Sequence, residues 1–162
     1  MESFVDLRSL QWNFVLGHNR TVNRVLRYFW AGPTTLLGLV LALALLRRGH
    51  AALIDGVIEA HSPLLRWALT HLIPLAGGAD AITLGHVVIG KNAQALDATR
   101  AHERVHVRQY ELWGPLFVPA YLFASIYALA RGRHPYFDNR FERQAWFSLQ
   151  RSQSTQRAHF LG

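Results

Sequence analysis

The sequence of 162 residues contains no cysteine and, among its basic residues, a single lysine, Lys91. Without cysteine the chain forms no disulfide and no thiolate metal site, so any metal ion must be held by histidines and carboxylates. Acidic residues are also few, at 10 against 17 basic ones, whereas there are 9 histidines. This high histidine count makes a metal site with His and carboxylate ligands worth pursuing.

The 17 basic residues are scattered along the chain and form no concentrated basic stripe. Nucleic-acid-binding surfaces are typically concentrated basic patches, so no nucleic-acid partner is expected. Scattered arginines that flank apolar runs are typical of a protein lying against anionic lipid. The hydrophobic content of 51% is high for a soluble domain, and the length fits a single domain over 1–162.

The first long apolar run, residues 28–46, contains 19 residues without a charge and has arginine on both sides. As a helix this run would be about 28 Å long, close to the thickness of the hydrocarbon core of a bilayer. Tyr28 and Trp30 stand near its start, where interfacial aromatic residues are usually found. We therefore expect an uncleaved membrane helix over 28–46, preceded by an amphipathic segment over 1–27. A buried core helix is the alternative.

Strand signals lie in the middle of the chain. Residues 52–60 fit either a short amphipathic helix or a pair of strands around Asp55 and Gly56. Residues 81–89 are rich in β-branched side chains and end before Gly90, which predicts a strand. Such a strand, lying across a catalytic helix, would be able to pair with an extended peptide. A plain core strand is the alternative.

Helical patterns stand on both sides of that strand. Residues 64–75 look helical, and a further helix is expected from about Asp97, with Asp97 or Thr99 as its N-cap. The polar tail over 148–162 is expected to be frayed at the end of the chain.

Residues 102–106 read HERVH, an H-E-x-x-H pattern. On a helix His102 and His106 share one face about one turn apart, so both imidazoles can bind one zinc ion. Glu103 is displaced around the helix towards a metal-bound water molecule. Histidines on the inward face of an amphipathic helix need partners, and a metal ion satisfies both. Two histidines that merely form hydrogen bonds are the alternative interpretation.

A second pattern, E-x-x-A, follows at residues 142–145. An H-E-x-x-H followed by E-x-x-A on a later helix resembles the gluzincin class of zinc metallopeptidases. The nearest resemblance is to the membrane-associated branch that includes the CaaX prenyl endopeptidases and the heat-shock membrane endopeptidases. It covers a zincin-like catalytic core over roughly 81–147. The resemblance implies zinc as cofactor, with His102, His106 and Glu142 as its ligands and Glu103 as the general base.

The chain departs from the family pattern at one position. In that family an acidic residue commonly follows E-x-x-A and helps to orient a ligand histidine, whereas Trp146 stands there in this chain. Asp138 and Asn139 are the candidate replacements for this second-shell role. His134 and Tyr136 are candidates for a donor that stabilises the oxyanion. The alternatives are a helix-capping role for His134 and simple packing for Tyr136.

A second apolar run, residues 112–130, also contains 19 residues without a charge. As a transmembrane helix it would separate His106 from Glu142 by about 30 Å, whereas bonds to zinc are about 2 Å long. A reversal at residues 114–115 removes the conflict, because the run then returns antiparallel to the H-E-x-x-H helix. A third helix, rising from about Tyr136, would bring Glu142 level with the histidines.

The expected fold is mainly α with a short β-strand or hairpin, an α+β zincin-like minimal core. It combines the H-E-x-x-H helix, an antiparallel apolar return helix, a third-ligand helix and an N-terminal apolar membrane-type helix. The expected function is zinc-dependent hydrolysis by a small metalloendopeptidase, with a peptide or protein substrate, at the lipid bilayer of a bacterial-type inner membrane. A non-catalytic membrane protein or adaptor with a structural or vestigial zinc site is one alternative. A soluble zincin whose apolar runs are core is another.

Overall fold

In a computed structural model of the chain, residues 20–75 and 77–160 are described. They form an α+β fold of helices around a four-stranded mixed sheet, so the α+β class is confirmed with more sheet than the expected strand or hairpin. Most of the predicted amphipathic segment over 1–27 lies outside the described residues. In chain order the elements are α1 (Arg20–Trp30), α2 (Gly32–Leu45), β1 (His50–Ile54), β2 (Val57–His61), α3 (Pro63–His71), β3 (Ala81–Leu84), β4 (Val87–Gly90), α4 (Ala93–Trp113), a 3-10 turn (Gly114–Leu116), α5 (Phe117–Ala130) and α6 (Arg140–Phe160).

The sheet has the strand order β1-β2-β4-β3, with β2 and β4 parallel and both outer pairs antiparallel. The first hairpin turns at Asp55 and Gly56, whose φ angles are 50° and 78°. Two left-handed residues in a two-residue loop match the right-handed twist of the flanking strands, and Asp-Gly favours them. Of the two alternatives for residues 52–60, the pair of strands is confirmed.

The second hairpin corrects the prediction of one strand over 81–89. The chain reverses between Leu84 and Val87, and the two short strands pair antiparallel. Gly85 has a φ of 63°, and a Cβ there would lie 2.6 Å from the backbone nitrogen of Thr35 on α2. Glycine is thus required both by the turn and by the close packing of α2. As a result β3 becomes an edge strand.

The sheet lies between two helical layers, and the central strand β4 contributes to both. Successive side chains of a strand point to opposite faces. Val87 and Ile89 pack into a core formed with α2 and α3, whereas Val88 packs into a core with α4. The side chains of strand β2 also point to both layers, Ala60 towards α2 and Val57 towards α4.

Helix α2 covers one face of the sheet with a stripe of small residues. Thr34, Gly38 and Ala42 are spaced four apart and are buried. A Cβ at Gly38 would lie 2.9 Å from both the Cβ and the carbonyl oxygen of Leu84, so the helix approaches the strands closely because no side chain intervenes. The predicted single helix over 28–46 is therefore divided between the end of α1 and α2, and α2 (Gly32–Leu45) is a core helix on this one face.

Helix α4 begins four residues before the predicted start near Asp97. Its N-cap is Asn92, whose side-chain oxygen accepts a hydrogen bond from Ala95 N at 2.8 Å. Asp97 instead forms an ion pair with Arg100 at 2.6 Å, and Thr99 lies within the helix. The prediction failed because Asn, Asp and Thr are all good N-caps, and only the extended backbone of Asn92 distinguishes it.

The chain turns after α4 at Gly114, which has a φ of 56°. Beyond the 3-10 turn, Phe117 packs against Tyr110 with a ring separation of 4.4 Å. The next turn of α5 brings Tyr121 to 6.5 Å from the ring of His106. The chain therefore does reverse at this turn. The helical stretch Ala93–Ala130 contains one window apolar enough to cross a membrane, and 17% of that window is buried.

Helix α6 corrects three predictions: where it starts, the fraying of the tail, and its direction relative to α4. It begins at Arg140 rather than near Tyr136, and it continues to Phe160, so most of the tail expected to be frayed is helical. It also runs antiparallel to α4 rather than parallel. Successive contacts of α6 are made with residues progressively closer to the start of α4. Phe141 contacts the Trp113 ring, Gln144 forms a hydrogen bond with Gln109, and Trp146 contacts the His102 ring.

This direction results from the connection between α5 and α6, which folds back along α5. Arg133 N donates to Ala128 O at 3.0 Å, and Asn139 Nδ2 donates to Tyr121 O at 3.0 Å and to Ser125 Oγ at 2.8 Å. The chain thus returns to the start of α5 before α6 begins. The prediction placed the start of the third helix at the far end of α5, and this is wrong because α6 begins beside the first turns of α5.

Candidate metal centre

Three buried side chains converge between α4 and α6. One ligand atom from each of His102, His106 and Glu142 lies within 4.8 Å of the other two. The Nε2 atoms of the two histidines are 3.0 Å apart, and they lie 3.1 Å and 3.4 Å from the carboxylate oxygens of Glu142. The three residues expected to bind a metal ion from the sequence therefore do lie together.

Two local features hold these residues in place. The i, i+4 spacing puts both histidines on one face of α4. Glu142 stands in the first turn of α6, whose N-cap is the fully buried Asn139. Asn139 Oδ1 accepts a hydrogen bond from Phe141 N at 2.9 Å, while its amide group bonds to α5. Asn139 therefore fixes the start of α6, although its contacts are not with the histidines themselves.

The atoms that face one another in this site are ones that a positive charge would stabilise. Gln109 Oε1 is an acceptor, so His106 Nδ1 at 2.8 Å carries the proton, and neutral His106 presents a lone pair at Nε2. That lone pair faces His102 Nε2 and a carboxylate oxygen. Burial lowers the pKa of His106, but the neighbouring carboxylate of Glu142 outweighs this and raises it. Either a proton or a metal ion satisfies such an arrangement, and the donor set suits a metal ion.

Glu142 responds to the same contacts in the opposite sense. Its burial alone would raise its pKa, but hydrogen bonds with His102 and His106 hold the pKa well below the usual range. Tyr121 adds a further hydrogen bond, with its hydroxyl donating to Glu142 Oε1 at 2.7 Å. An ionised carboxylate with a fixed orientation is the form that binds a cation.

Glu103 is the fourth buried group, with 5% of its surface exposed. The hydroxyl of Thr83 on strand β3 donates to Glu103 Oε2 at 2.6 Å. Desolvation raises the pKa of Glu103, and the neighbouring His106 and the hydrogen bond from Thr83 only partly oppose this. A carboxyl group with a raised pKa is able to exchange protons near neutral pH.

The two histidines differ at their second nitrogen atoms. His106 Nδ1 is held by Gln109, whose amide nitrogen in turn donates to Phe141 O and to Gln144 Oε1. His102 Nδ1 is buried and has no hydrogen-bond partner among the described residues. The ring of Trp146 lies 4.9 Å from the His102 ring, where the family pattern leads one to expect an acceptor.

The other candidates divide into one residue beside the site and two away from it. The charge of Glu142 contributes to raising the pKa of the Tyr136 phenol, after burial, so Tyr136 lies beside the site. His134 is exposed, and its Nδ1 accepts hydrogen bonds from the backbone nitrogens of Tyr136 and Phe137. Asp138 is exposed too and accepts a hydrogen bond from His134 N. Both side chains form hydrogen bonds within the turn before α6, as the capping alternative for His134 predicts, and neither has a described contact with His102 or His106.

Three residues of the site were missed by sequence reasoning: Thr83, Gln109 and Tyr121. Gln109 carries a weak signal, because it stands three residues after His106 on the same helical face. Thr83 and Tyr121 carry none, since their partners lie 20 and 21 residues away in the chain.

Comparisons of the chain with protein-family models, curated proteins and solved structures found no match. The residues of the site are therefore the basis for its chemistry. Two imidazole nitrogens and one carboxylate oxygen, brought together in a buried place, can hold a metal ion.

Proposed function

We propose that this chain is a zinc-dependent metalloendopeptidase that acts at a membrane. The observation that carries the proposal is the convergence of His102 and His106 on α4 with Glu142 on α6. Glu103 is buried on α4, next to His102. Two histidines and one glutamate are a common ligand set of catalytic zinc, in which the fourth position stays open. The resemblance to gluzincins supports the same assignment.

The roles of the residues follow from their surroundings. A zinc ion held by His102, His106 and Glu142 would supply Lewis-acid chemistry, which activates a water molecule and polarises a carbonyl group. Glu103 would accept a proton as general base and return it to the leaving amine. Thr83 orients the Glu103 carboxylate, and Tyr121 orients that of Glu142. Tyr136 is the remaining candidate donor to the oxyanion, because it lies beside Glu142.

The edge strand β3 supplies a docking position for a peptide. One side of β3 pairs with β4, so the backbone groups on its other side are not used by the sheet. Thr83, in the middle of β3, contacts the proposed general base. An extended substrate that adds to β3 as a further strand would bring its backbone close to Glu103.

Membrane association is supported by apolar side chains that point outwards. Among residues 20–75 and 77–160, helix α5 belongs to the one helical stretch apolar enough to cross a membrane, and Phe123 and Ile126 on it are 77% and 64% exposed. Helix α1 adds Phe29 at 84% exposure. Exposed apolar surfaces of this extent are typical of contacts with lipid or protein partners. As part of the proposal we assign the chain to a bacterial-type inner membrane.

One observation favours a second candidate, an adaptor with a structural or vestigial zinc site. His102 Nδ1 has no partner among the described residues, and Trp146 occupies the place of the family's acidic residue. Partners at this atom commonly raise metal affinity and activity. A site without one fits a protein that has lost turnover but still binds metal.

The test combines metal content with proteolysis. We expect Glu103→Gln to retain one zinc per chain and to lose at least a hundredfold in cleavage of casein or membrane peptides, because the proton acceptor is removed. Glu142→Ala should lose zinc. Elemental analysis of the purified protein and a cleavage assay measure the two effects. Glu111→Gln is the matched control, since Glu111 is on the same helix but pairs with Arg27 and His86.

Each outcome distinguishes the candidates. Full zinc content in Glu142→Ala would contradict the assignment of the third ligand. Zinc bound by the native chain, without turnover on a varied peptide panel, would favour the adaptor. Wild-type protein that takes up no zinc would contradict both.

A further inference from the structure

The outer face of α2 is apolar and exposed, although the helix is part of the core. We define it by five side chains between Leu36 and Leu43, which have exposed fractions from 38% to 71%. Leu43 is the most exposed of them, and no polar residue interrupts the face. The members are Leu36, Leu37, Val40, Leu41 and Leu43.

The inner face of α2 is attached to the sheet along its whole length. Near the start of the helix, Thr35 Oγ1 accepts a hydrogen bond from His86 N at 3.1 Å. In its middle, Gly38 packs directly on Leu84. At its end, the carbonyl oxygen of Leu45 accepts a hydrogen bond from Ser62 Oγ at 2.5 Å, just after β2. Because of these contacts, any position of α2 in a membrane also determines the position of the sheet.

A sheet with open edges does not enter the hydrocarbon core of a bilayer. Its edge strands present unpaired N–H and C=O groups, and each such group costs several kcal/mol in hydrocarbon. Both β1 and β3 are edge strands here, and most of β1 is exposed. If α2 crossed the bilayer, the attached sheet would be carried into the hydrocarbon. The 14 residues of α2 also span only about 21 Å, less than the roughly 30 Å required.

We propose that α2 lies flat in a single leaflet, with its outer face in the lipid and the sheet above it on the water side. The chain would then sit on one side of the membrane without crossing it at α2. This inference rests on the membrane association proposed above, but not on zinc or catalysis. It replaces the spanning orientation of the predicted helix over 28–46.

The charges at the two ends of α2 fit this orientation. Arg47 and Arg48 are exposed directly after the helix, and Arg27 before it is 37% exposed while it pairs with Glu111. In a flat helix these cations lie at one depth and meet the headgroups of one leaflet, whereas a spanning helix would separate them. With a net charge of +7, the chain suits a leaflet that contains anionic lipid.

The absence of cysteine allows a direct test of depth. We would place single cysteines at Leu36, Val40 and Leu43 of the full chain and label each with an environment-sensitive fluorophore. The protein is added to preformed vesicles of phosphatidylcholine and phosphatidylglycerol that carry nitroxide quenchers at a shallow or a deep acyl position. Asp97→Cys is the control, because Asp97 is 67% exposed on α4, in the layer on the far side of the sheet.

A flat helix predicts strong shallow quenching that is equal at the three positions, and none at Asp97→Cys. A spanning helix predicts depths that differ by about 10 Å between Leu36 and Leu43, because they are seven residues apart along the axis. That result would overturn the flat orientation while leaving membrane association intact. Absence of vesicle binding would overturn both, without bearing on zinc content. Labels shielded from lipid in a self-associated form would overturn the inference as well.

Discussion

The two faces of the sheet differ in how they are held. Towards α4 the strands present polar groups, and Glu59 and Thr83 on this face form hydrogen bonds with helix side chains. Towards α2 they present apolar side chains that pack against a helix of small and aliphatic residues. Both faces come from the same short strands, because alternate residues point in opposite directions. One thin sheet thus separates the layer that contains the His102, His106 and Glu142 group from the layer formed by α2 and α3.

The polar face is stable because its charges are paired. Glu59 is buried and accepts hydrogen bonds from Arg100 Nε and Nη2 at 2.9 Å each. Arg104 Nη2 donates to the same carboxylate at 3.1 Å and to Ile54 O at 2.7 Å. Arg100 and Arg104 stand one turn apart on either side of His102 and Glu103. The network therefore fixes the rotation of α4 that turns His102 and His106 towards Glu142 on α6.

The largest effect is expected from breaking this network. Replacement of Glu59 by alanine should lower the free energy of unfolding by about 3 kcal/mol, because it leaves two partly buried arginines without their carboxylate. Urea unfolding of the purified protein measures the change. Asp97→Ala is the matched control, since Asp97 binds the same Arg100 at the surface and should cost less than about 1 kcal/mol. Equal losses in the two variants would contradict the view that the buried pair fixes α4.

A smaller effect is expected on the apolar face. In Gly38→Ala the new Cβ would lie 2.9 Å from Leu84 and from Val87, so α2 must move away from the sheet. We expect a loss of about 1–3 kcal/mol in the free energy of unfolding. Gly32→Ala, on the same helix with no atom within 4 Å of the new Cβ, should stabilise slightly. A Gly38→Ala protein as stable as the wild type would show that the contact between α2 and the sheet is loose.

The smallest effect concerns the two histidines on the polar face. Trp146→Gln would offer His102 Nδ1 an amide acceptor like the one that Gln109 gives to His106. We expect the Kd for zinc to fall about tenfold, which competition with a chelator measures. Trp146→Leu removes the indole without adding an acceptor and should leave the Kd unchanged. An equal change in both variants would attribute the effect to space rather than to the hydrogen bond.

The convergence of His102, His106 and Glu142 could be predicted because the hypothesis of a shared metal ion imposes a distance. Bonds of about 2 Å to one ion exclude a straight membrane crossing between His106 and Glu142. The reversal at Gly114 followed from that requirement together with a local turn signal. The convergence of the three residues could therefore be predicted even though the direction of α6 relative to α4 was predicted wrongly.

Other parts of the fold had no such constraint. The hairpin at Gly85 is marked by one glycine among β-branched residues, so a single strand fitted the pattern equally well. The direction of α6 depends on the connection over 131–139, which carries no periodic pattern. Residues that hold the site from other elements, such as Thr83 and Tyr121, become partners only when the chain is folded. Long-range pairing of this kind leaves no trace in local sequence.

A buried cluster joins the end of α1 to the metal centre. Ala31 packs with Tyr110, Phe117 and Phe141, and Phe141 directly precedes the ligand Glu142. These contacts connect segments that are far apart in sequence. Such contacts form late in folding because closing a long loop costs conformational entropy. During synthesis α2 emerges long before α6, so α2 can pack on the sheet while Glu142 is still missing. The group formed by His102, His106 and Glu142 is therefore complete only at a late step of folding.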